Sequence, residues 1–578
     1  MQAQRKIDKI YNSKLNGALK VYCLLTIDFK CGKSPVSEIF MTEQPSPTNK
    51  EPEKMPGGLP LIGHMLKFGK NPFDYMTLLR SKLGEIGEFR LFHQQMVLLT
   101  GPEGNEAFFR APDDQLDQNE AYKVMTPIFG KGVVFDAPPH IKDQQLKMLM
   151  PVLRDKPMRT YSKVIVQEVE EAIKDWGDSG EVDILEFMKQ LTIYTSSHCL
   201  LGNEFRYELN EEFAHLYHDL ENGMHPLAFI FPYLPIPILR RRDKARVRLQ
   251  ELVTAIIEKR AQKTEKSDDA FQMLIDVRYD DGSPLSPHEI TGLLIGTLFA
   301  GHHTTAGTAA WITLELARNP KYMDKVLQEF DTLYGHEGEV TFQSLREIPV
   351  FERVIKEVLR LHPPLIFLIR KVAKDLKFKD YIIKAGKYVC VSPRVSHRIP
   401  EIFPDPEKFD PERFTKERQE DAIPFSWVAF GGGRHKCSGN AFAMLQLKAI
   451  YAILLRRYKF ELVGTPESYQ DDYKQMVVQP GSPCMVRYTK RGNIKQTATA
   501  SKDTVANTVT KLNCFKIDID MDLCQGHANC MAEAPEIFQV DDKGKLSILQ
   551  DTPNNTLLKK AQAAAEYCPT SAIKIIQD

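Results

Sequence analysis

The stretch FGGGRHKCSG, residues 430–439, runs straight into NAFAMLQLKAIYAILLRRY, a long helical segment. Three successive glycines let a backbone approach a large flat ligand, and Cys437 then falls at a helix N-terminus. Free amides and the helix dipole stabilise a thiolate there. Such a thiolate suits the axial position of a haem iron, where it pushes electron density that favours O–O cleavage. A lone cysteine after a Gly-rich turn would read as a buried structural residue. The whole decapeptide reads as a ligand loop.

Two further features lie upstream. FERVIKEVLRLHPPL sets Glu357 and Arg360 at i, i+3 on one helix face, and DPERF (410–414) offers Arg413 as a third partner. On an otherwise apolar helix this predicts a buried Glu–Arg–Arg network, structural in role, that holds the cysteine loop. The second feature is a long helix opened by a capping box, Ser286-Pro287-His288-Glu289, and running to Pro320. Midway stands Ala300-Gly301-His302-His303-Thr304-Thr305. Small residues and a threonine that bonds its own turn predict a local opening, where a hydroxyl can pass protons toward dioxygen.

Together these motifs resemble the cytochrome P-450 family over residues 56–490. The resemblance implies a mainly α haem-thiolate fold with small β regions, haem b, O₂-dependent monooxygenase chemistry and electrons from outside. Most members carry an acid just before the helix threonine; here it is His303, as in sterol 14α-demethylases. AYKVMTPIFGKGVVFDAPP (121–139) is also similar to that subfamily's segment before the substrate cavity. By resemblance Thr304 and His303 serve proton delivery. Tyr122, Arg370 and His435 reach the haem propionates, and Tyr122, Val124, Met125 and Phe129 line the cavity. Val124 stands where an aliphatic residue leaves room for a 4,4-dimethyl substrate such as lanosterol. The implied reaction removes the 14α-methyl group as formate in three O₂-consuming rounds.

Beyond KRGNIKQTATASKDTVANTVTK the character changes, so residues 491–513 read as a linker and 514–578 as a small α+β domain. CFKIDID alternates as a strand, NCMAEAPEIF reads as a short helix, FQVDDKGKLSIL as a hairpin, NTLLKKAQAAAEY as a helix and SAIKII as a strand. Within it, DLCQGHANC places Cys524, His527 and Cys530 ahead of a distant Cys568-Pro569. Three cysteines and a histidine are chemically open to zinc. Bacterial-type clusters use C-x₂-C-x₂-C with a distant Cys-Pro, and here His527 takes the middle place. The tail thus resembles the single-cluster ferredoxins that serve bacterial cytochromes P-450. Three thiolates suit a [3Fe–4S] cluster, and [4Fe–4S] with His527 as a ligand is the variant. The tail carries ten acids against seven lysines over 511–578, in a chain of zero formal net charge. This predicts docking on a basic haem-side face.

That balance of charge gives no argument for nucleic acid. Ten scattered cysteines in 578 residues read as a reducing cytosol rather than a disulfide framework. Residues 1–55 read as a disordered or doubtful extension, with Met41 an alternative start; ALKVYCLLTIDF (18–29) is too short to span a bilayer and lacks a cleavage site. HPLAFIFPYLPIPIL (225–239), followed by Arg240-Arg241-Arg242, reads as a channel lip in peripheral membrane contact with arginines at the headgroups, or as buried core. No flavin or nicotinamide fingerprint is evident, so a separate NAD(P)H-dependent ferredoxin reductase is expected to load the cluster. The rival functions are a cytochrome P-450 acting on another lipid or terpenoid, and a non-catalytic haem and iron–sulfur sterol sensor.

Overall fold

The structure, a computed structural model, describes residues 50–492 except 154, 225–227, 229–230, 265, 268, 336–337 and 474–476. Beyond 514 it describes 515–519, 521, 524, 529–540, 546–550, 553–566, 568 and 572–577. Residues 1–49, most of the linker and His527 lie outside the described residues. By its contacts the chain from residue 49 to 578 forms one unit.

The longest helix spans Pro287–Arg318, and its start is set by the sequence. Ser286 Oγ accepts the Glu289 N–H, Glu289 Oε2 accepts the Ser286 N–H at 2.8 Å, and Pro287 occupies the first helical position. Its two halves serve two apolar cores. Ile290, Leu293, Leu294, Ile295 and Leu298 join one core with Val124, Met125 and Phe129; Ala306, Ala309, Trp311, Ile312 and Leu314 join the other. The more polar Ala300–Thr305 stretch therefore lies where the cores meet. The helix is continuous there, so the expected local opening takes the form of a side-chain bond: Thr304 Oγ1 donates to Ala300 O at 2.6 Å.

Helix Pro349–Leu361 ends before His362-Pro363, because the proline ring disfavours helical backbone in the residue ahead of it. Its strong apolar stripe, with Phe351, Val354, Ile355 and Val358 buried, packs into the second core. Helix Asn440–Arg457 follows the cysteine loop into the same core. A five-stranded sheet flanks the helices in the order Ile86–Leu91, Gln94–Leu99, Tyr388–Val391, Leu368–Val372, Leu116–Asp117. Its second and third strands run parallel, with Met96 opposite Tyr388, and the other pairs are antiparallel. It carries Arg370.

The C-terminal elements follow the sequence reading: strand Phe515–Ile519, helix Asn529–Glu533, strands Phe538–Val540 and Leu546–Ile548, helix Leu558–Glu566 and strand Ile573–Gln577. The first and last strands pair antiparallel, Ile517 opposite Ile575. A small separate core holds Phe515, Cys530, Ala534, Ile537, Phe538 and Ala561.

The expectation for 225–239 is corrected in one respect. Phe231 and Tyr233 are exposed, and Pro237 starts helix Pro237–Ala261. Arg242, however, is fully buried and donates to Pro232 O at 2.8 Å and to Asp243. Helical periodicity turns it inward, so among the three arginines only Arg240 and Arg241 remain for a headgroup surface.

Candidate functional site

The cysteine loop is shaped by close approach to helix Gly101–Arg110. Gly431 and Gly433 have φ of +71° and +60°, and a Cβ on Gly433 would lie 2.2 Å from Phe109 O. A Cβ on Gly432 would meet the Phe425 ring at 2.8 Å. The glycines at 432 and 433 are thus also demanded by packing of the loop on its own chain. The Cys437 N–H donates to Phe430 O at 2.9 Å, and the backbone N–H groups of Gly439 and Asn440 turn toward its sulfur. Burial in protein raises the thiol's pKa, while those amides and Lys436 pull it down. The sulfur lies deep within the fold, yet the Cys437 side chain stays accessible, which suits a ligand to a buried iron.

Above the loop, cations collect. Arg370 is buried, stacks on Phe108 and donates to Phe108 O at 2.9 Å; burial lowers its pKa to about 10. Tyr122 bears on Arg370, and burial raises its phenol pKa. His435 Nε2 lies 2.5 Å from Asp113 Oδ1, and Lys142 is buried beside the same group. Burial alone would raise the Asp113 pKa, but the His435 hydrogen bond and the surrounding cations hold it at about 2. Arg370 and His435 share the single carboxylate of Asp113, whereas Lys142 also bears on Asp117 and Asp143. The buried Arg370 and His435 fit the carboxylates of haem, and the accessible sulfur of Cys437 fits its iron.

Glu357, Arg360 and Arg413 form the expected network, all at most 1% exposed. Glu357 takes Arg360 Nε at 2.7 Å and Nη2 at 2.9 Å, Arg413 Nε at 3.2 Å and the Asp410 N–H at 2.8 Å. The arginines also donate to carbonyls of His397, Asp405, Pro406 and Lys408, and Arg413 Nη1 pairs with Glu420 at 2.8 Å. His397 Nε2 in turn accepts the Val428 N–H at 2.8 Å, two residues before the cysteine loop. The network is therefore wired to the loop through His397.

On the opposite side, Val124 and Met125 lie on a 3₁₀ turn, Lys123–Met125, and Phe129 ends the helical turn Thr126–Phe129; all three are buried. The segment presses on the long helix so closely that a Cβ on Gly292 would lie 2.1 Å from Phe129 O. His303 Nε2 meets Glu221 Oε1 at 2.5 Å, and His302 Nδ1 meets the same oxygen at 3.1 Å. Sequence reasoning missed Glu221, Asp113 and Lys142. Nothing local marks Glu221 in HDLENGMHP, since its partners lie 81 or more residues away.

In the C-terminal domain the structure brings Cys524, Cys530 and Cys568 together. Burial raises the Cys530 thiol to about 12, and the neighbouring sulfurs of Cys568 and Cys524 add to the rise. Three sulfurs gathered in this way suit a cation-rich inorganic core that takes their charge. Described residues of this domain meet the rest of the chain through Glu533 and Cys568. The Glu533 carboxylate pairs with the Arg346 guanidinium, both largely buried. Cys568 bears electrostatically on Lys436, the residue beside Cys437; burial lowers the Lys436 pKa and Cys568 opposes that change.

Residues 53–487 match the cytochrome P450 family, and residues 517–575 match the 4Fe-4S single cluster domain. The chain is 46% identical over 447 residues to sterol 14alpha-demethylase of Mycolicibacterium vanbaalenii, covering 76% of this chain and 98% of the relative. It is 36% identical to lanosterol 14-alpha demethylase of Bos taurus, covering 77% and 89%. Among solved structures, retinoic acid-bound cyanobacterial CYP120A1 superposes with a TM-score of 0.68 at 25% identity, covering 76% of this chain and 99% of that one. No described helix is long and apolar enough to cross a membrane. With the family match spanning well over half its length, this chain belongs to the cytochrome P450 family and carries an iron–sulfur ferredoxin domain at its C-terminal end.

Proposed function

We propose that the protein is a sterol 14α-demethylase that carries its own electron donor. The observation behind the substrate is the pairing of a histidine ahead of Thr304 with a buried Tyr122–Phe129 segment, in a chain 46% identical to a sterol 14alpha-demethylase along 98% of that relative. Haem held by Cys437, Arg370, Tyr122 and His435 supplies O₂ activation when bound. The residues of this chain do the rest. Val124, Met125 and Phe129 exclude water and shape the space over the haem, and Val124 leaves room for a 4,4-dimethyl sterol of the lanosterol type. Thr304 Oγ1, held on Ala300 O, is a hydroxyl able to turn and relay a proton, and His303, oriented by the Glu221 carboxylate, supplies protons to that relay. Glu357, Arg360 and Arg413 keep the cysteine loop in place. The 14α-methyl group leaves as formate after three rounds.

Cys524, Cys530 and Cys568 hold the cluster, which we assign as [3Fe–4S], with [4Fe–4S] the form reached if His527 captures a fourth iron. The linker of about 23 residues gives a root-mean-square reach of about 25 Å, and so a millimolar effective concentration. The Arg346–Glu533 pair and the placing of Cys568 beside Lys436 support a docked ferredoxin that passes electrons to the haem side. A separate NAD(P)H-dependent reductase loads the cluster. Exposed Phe231 and Tyr233 with Arg240 and Arg241 support peripheral membrane contact, through which a sterol arrives. The domain limits 56–490, 491–513 and 514–578 complete the reading.

The test is direct. Candidate sterols are added to purified haem-loaded protein, and the haem spectral shift and then reductase-driven formate release are measured. Binding without turnover would favour the sensor reading, and turnover of a terpenoid in preference to every sterol would overturn the substrate.

A further inference from the structure

The contacts of His302 ask for one positive charge more than neutral side chains supply. Its Nε2 lies 3.0 Å from Lys189 O, a carbonyl that can only accept, so that nitrogen carries the hydrogen. In the neutral ring Nδ1 is then a bare lone pair, and it points at Glu221 Oε1 3.1 Å away. His303 Nε2 reaches the same oxygen at 2.5 Å, and its Nδ1 is buried without a hydrogen-bond partner. The Tyr217 hydroxyl, in a residue 2% exposed, bears on the same carboxylate. A cation among these atoms matches the facing lone pairs, whether a proton on His302 or a metal ion.

We propose that Glu221, His302 and His303 form a binding site for a zinc-class divalent ion, and that filling it holds His303 away from proton delivery. One ligand atom from each residue lies within 4.8 Å of the other two. Tetrahedral zinc with bonds of about 2.0–2.1 Å spaces its donor atoms by about 3.3 Å, so only small adjustments are needed. Two imidazoles and a carboxylate are a zinc-type ligand set with the fourth position open to water. The His302 Nε2–H on Lys189 O is the outer hydrogen bond that orients a ligating imidazole. The ion joins helix Asn210–Asn222 to the long helix, at the turn that carries Thr304. Zinc therefore acts as an inhibitor, placed on the proton route rather than in the sterol cavity. The binding half of this inference stands on geometry alone; the inhibitory half rests on the proton role given to His303.

The experiment uses the full chain loaded with haem and cluster, so that Cys437, Cys524, Cys530 and Cys568 are not free for zinc. Zinc is added, the protein is dialysed, and retained zinc is counted against Glu221→Gln and His302→Gln variants whose sterol-induced spectral shift is intact. Wild type should keep one zinc, and each variant should lose affinity by about 100-fold or more, at least the loss seen when an outer partner of a metal ligand is removed. Should a variant fail to fold, zinc K-edge absorption of the wild type decides, with imidazole and oxygen ligands and no sulfur expected. Equal zinc in wild type and variants, or a sulfur-bound ion, overturns the site. Bound zinc that leaves the coupling of electrons to product unchanged, with the site itself verified, overturns the inhibitory half and with it the proton role of His303.

Discussion

Reversing the charge of Arg346 tests whether the ferredoxin domain works in the docked position. Arg346 is 20% exposed and its partner Glu533 15%, so the pair is largely shielded from water. Opposite charges about 4 Å apart at an effective dielectric of about 20 attract by about 4 kcal/mol, and desolvation takes back part of it. A net worth of about 1.5 kcal/mol is in line with hydrogen bonds to charged groups, and its loss weakens docking about tenfold. Arg346→Glu also sets two carboxylates face to face, so about 3 kcal/mol and a hundredfold weaker docking are expected. The tether keeps the domains near millimolar, which limits the consequence to the docked fraction. We expect electron transfer from cluster to haem, followed by rapid photoreduction under carbon monoxide, to slow at least tenfold in Arg346→Glu and in Glu533→Arg. Combining the two substitutions should return the rate to within a few-fold of wild type. A wild-type rate in either single variant, or no recovery in the double one, would refute the docking geometry.

Cys437→Ala should abolish the carbon monoxide band typical of thiolate-ligated haem, and its survival would remove the ligand assignment. Thr304→Ala should leave the sterol spectral shift largely intact while uncoupling electron use from product; parallel losses of binding and turnover would count against a proton role. Glu357→Gln leaves the fully buried Arg360 without its carboxylate and Arg413 with Glu420 alone, and should cost about 3–5 kcal/mol in thermal or denaturant unfolding. His397 is wholly buried, and burial, aided by Arg360, lowers its pKa from 6.5 to about 3. Its folded-state pKa is depressed, so the unfolded chain takes the proton first. The contribution of His397 is complete above about pH 6.5 and is lost at about 1.4 kcal/mol per pH unit as pH falls toward 3. A His397 variant that keeps the wild-type slope of stability between pH 6 and 4 would exclude this origin. His527→Cys should yield a stable [4Fe–4S] cluster of lower potential, read by electron paramagnetic resonance and redox titration; an unchanged [3Fe–4S] signal would place His527 away from the open corner.

Much of the chemistry was legible in the chain because it is written in short windows. The decapeptide around Cys437, the Glu357–Arg360 pair and the capping box at Ser286–Glu289 each depend on neighbours within a few residues, where helical spacing and backbone freedom are set locally. The strand, helix and hairpin order of 514–578 was readable for the same reason, since alternation and turn residues act over single elements. What tertiary structure alone decided are the meetings between distant segments. Glu221 finds His302 and His303, Asp113 finds His435, and Glu533 finds Arg346, 187 residues apart. Arg242 turned inward although its two neighbours stay exposed, and the glycines at 431–433 proved to answer Phe109 and Phe425. A charged side chain is worth little alone in water and much when buried beside a partner. The sequence names the groups able to pair, but the pairing energy exists only once packing has removed the water between them.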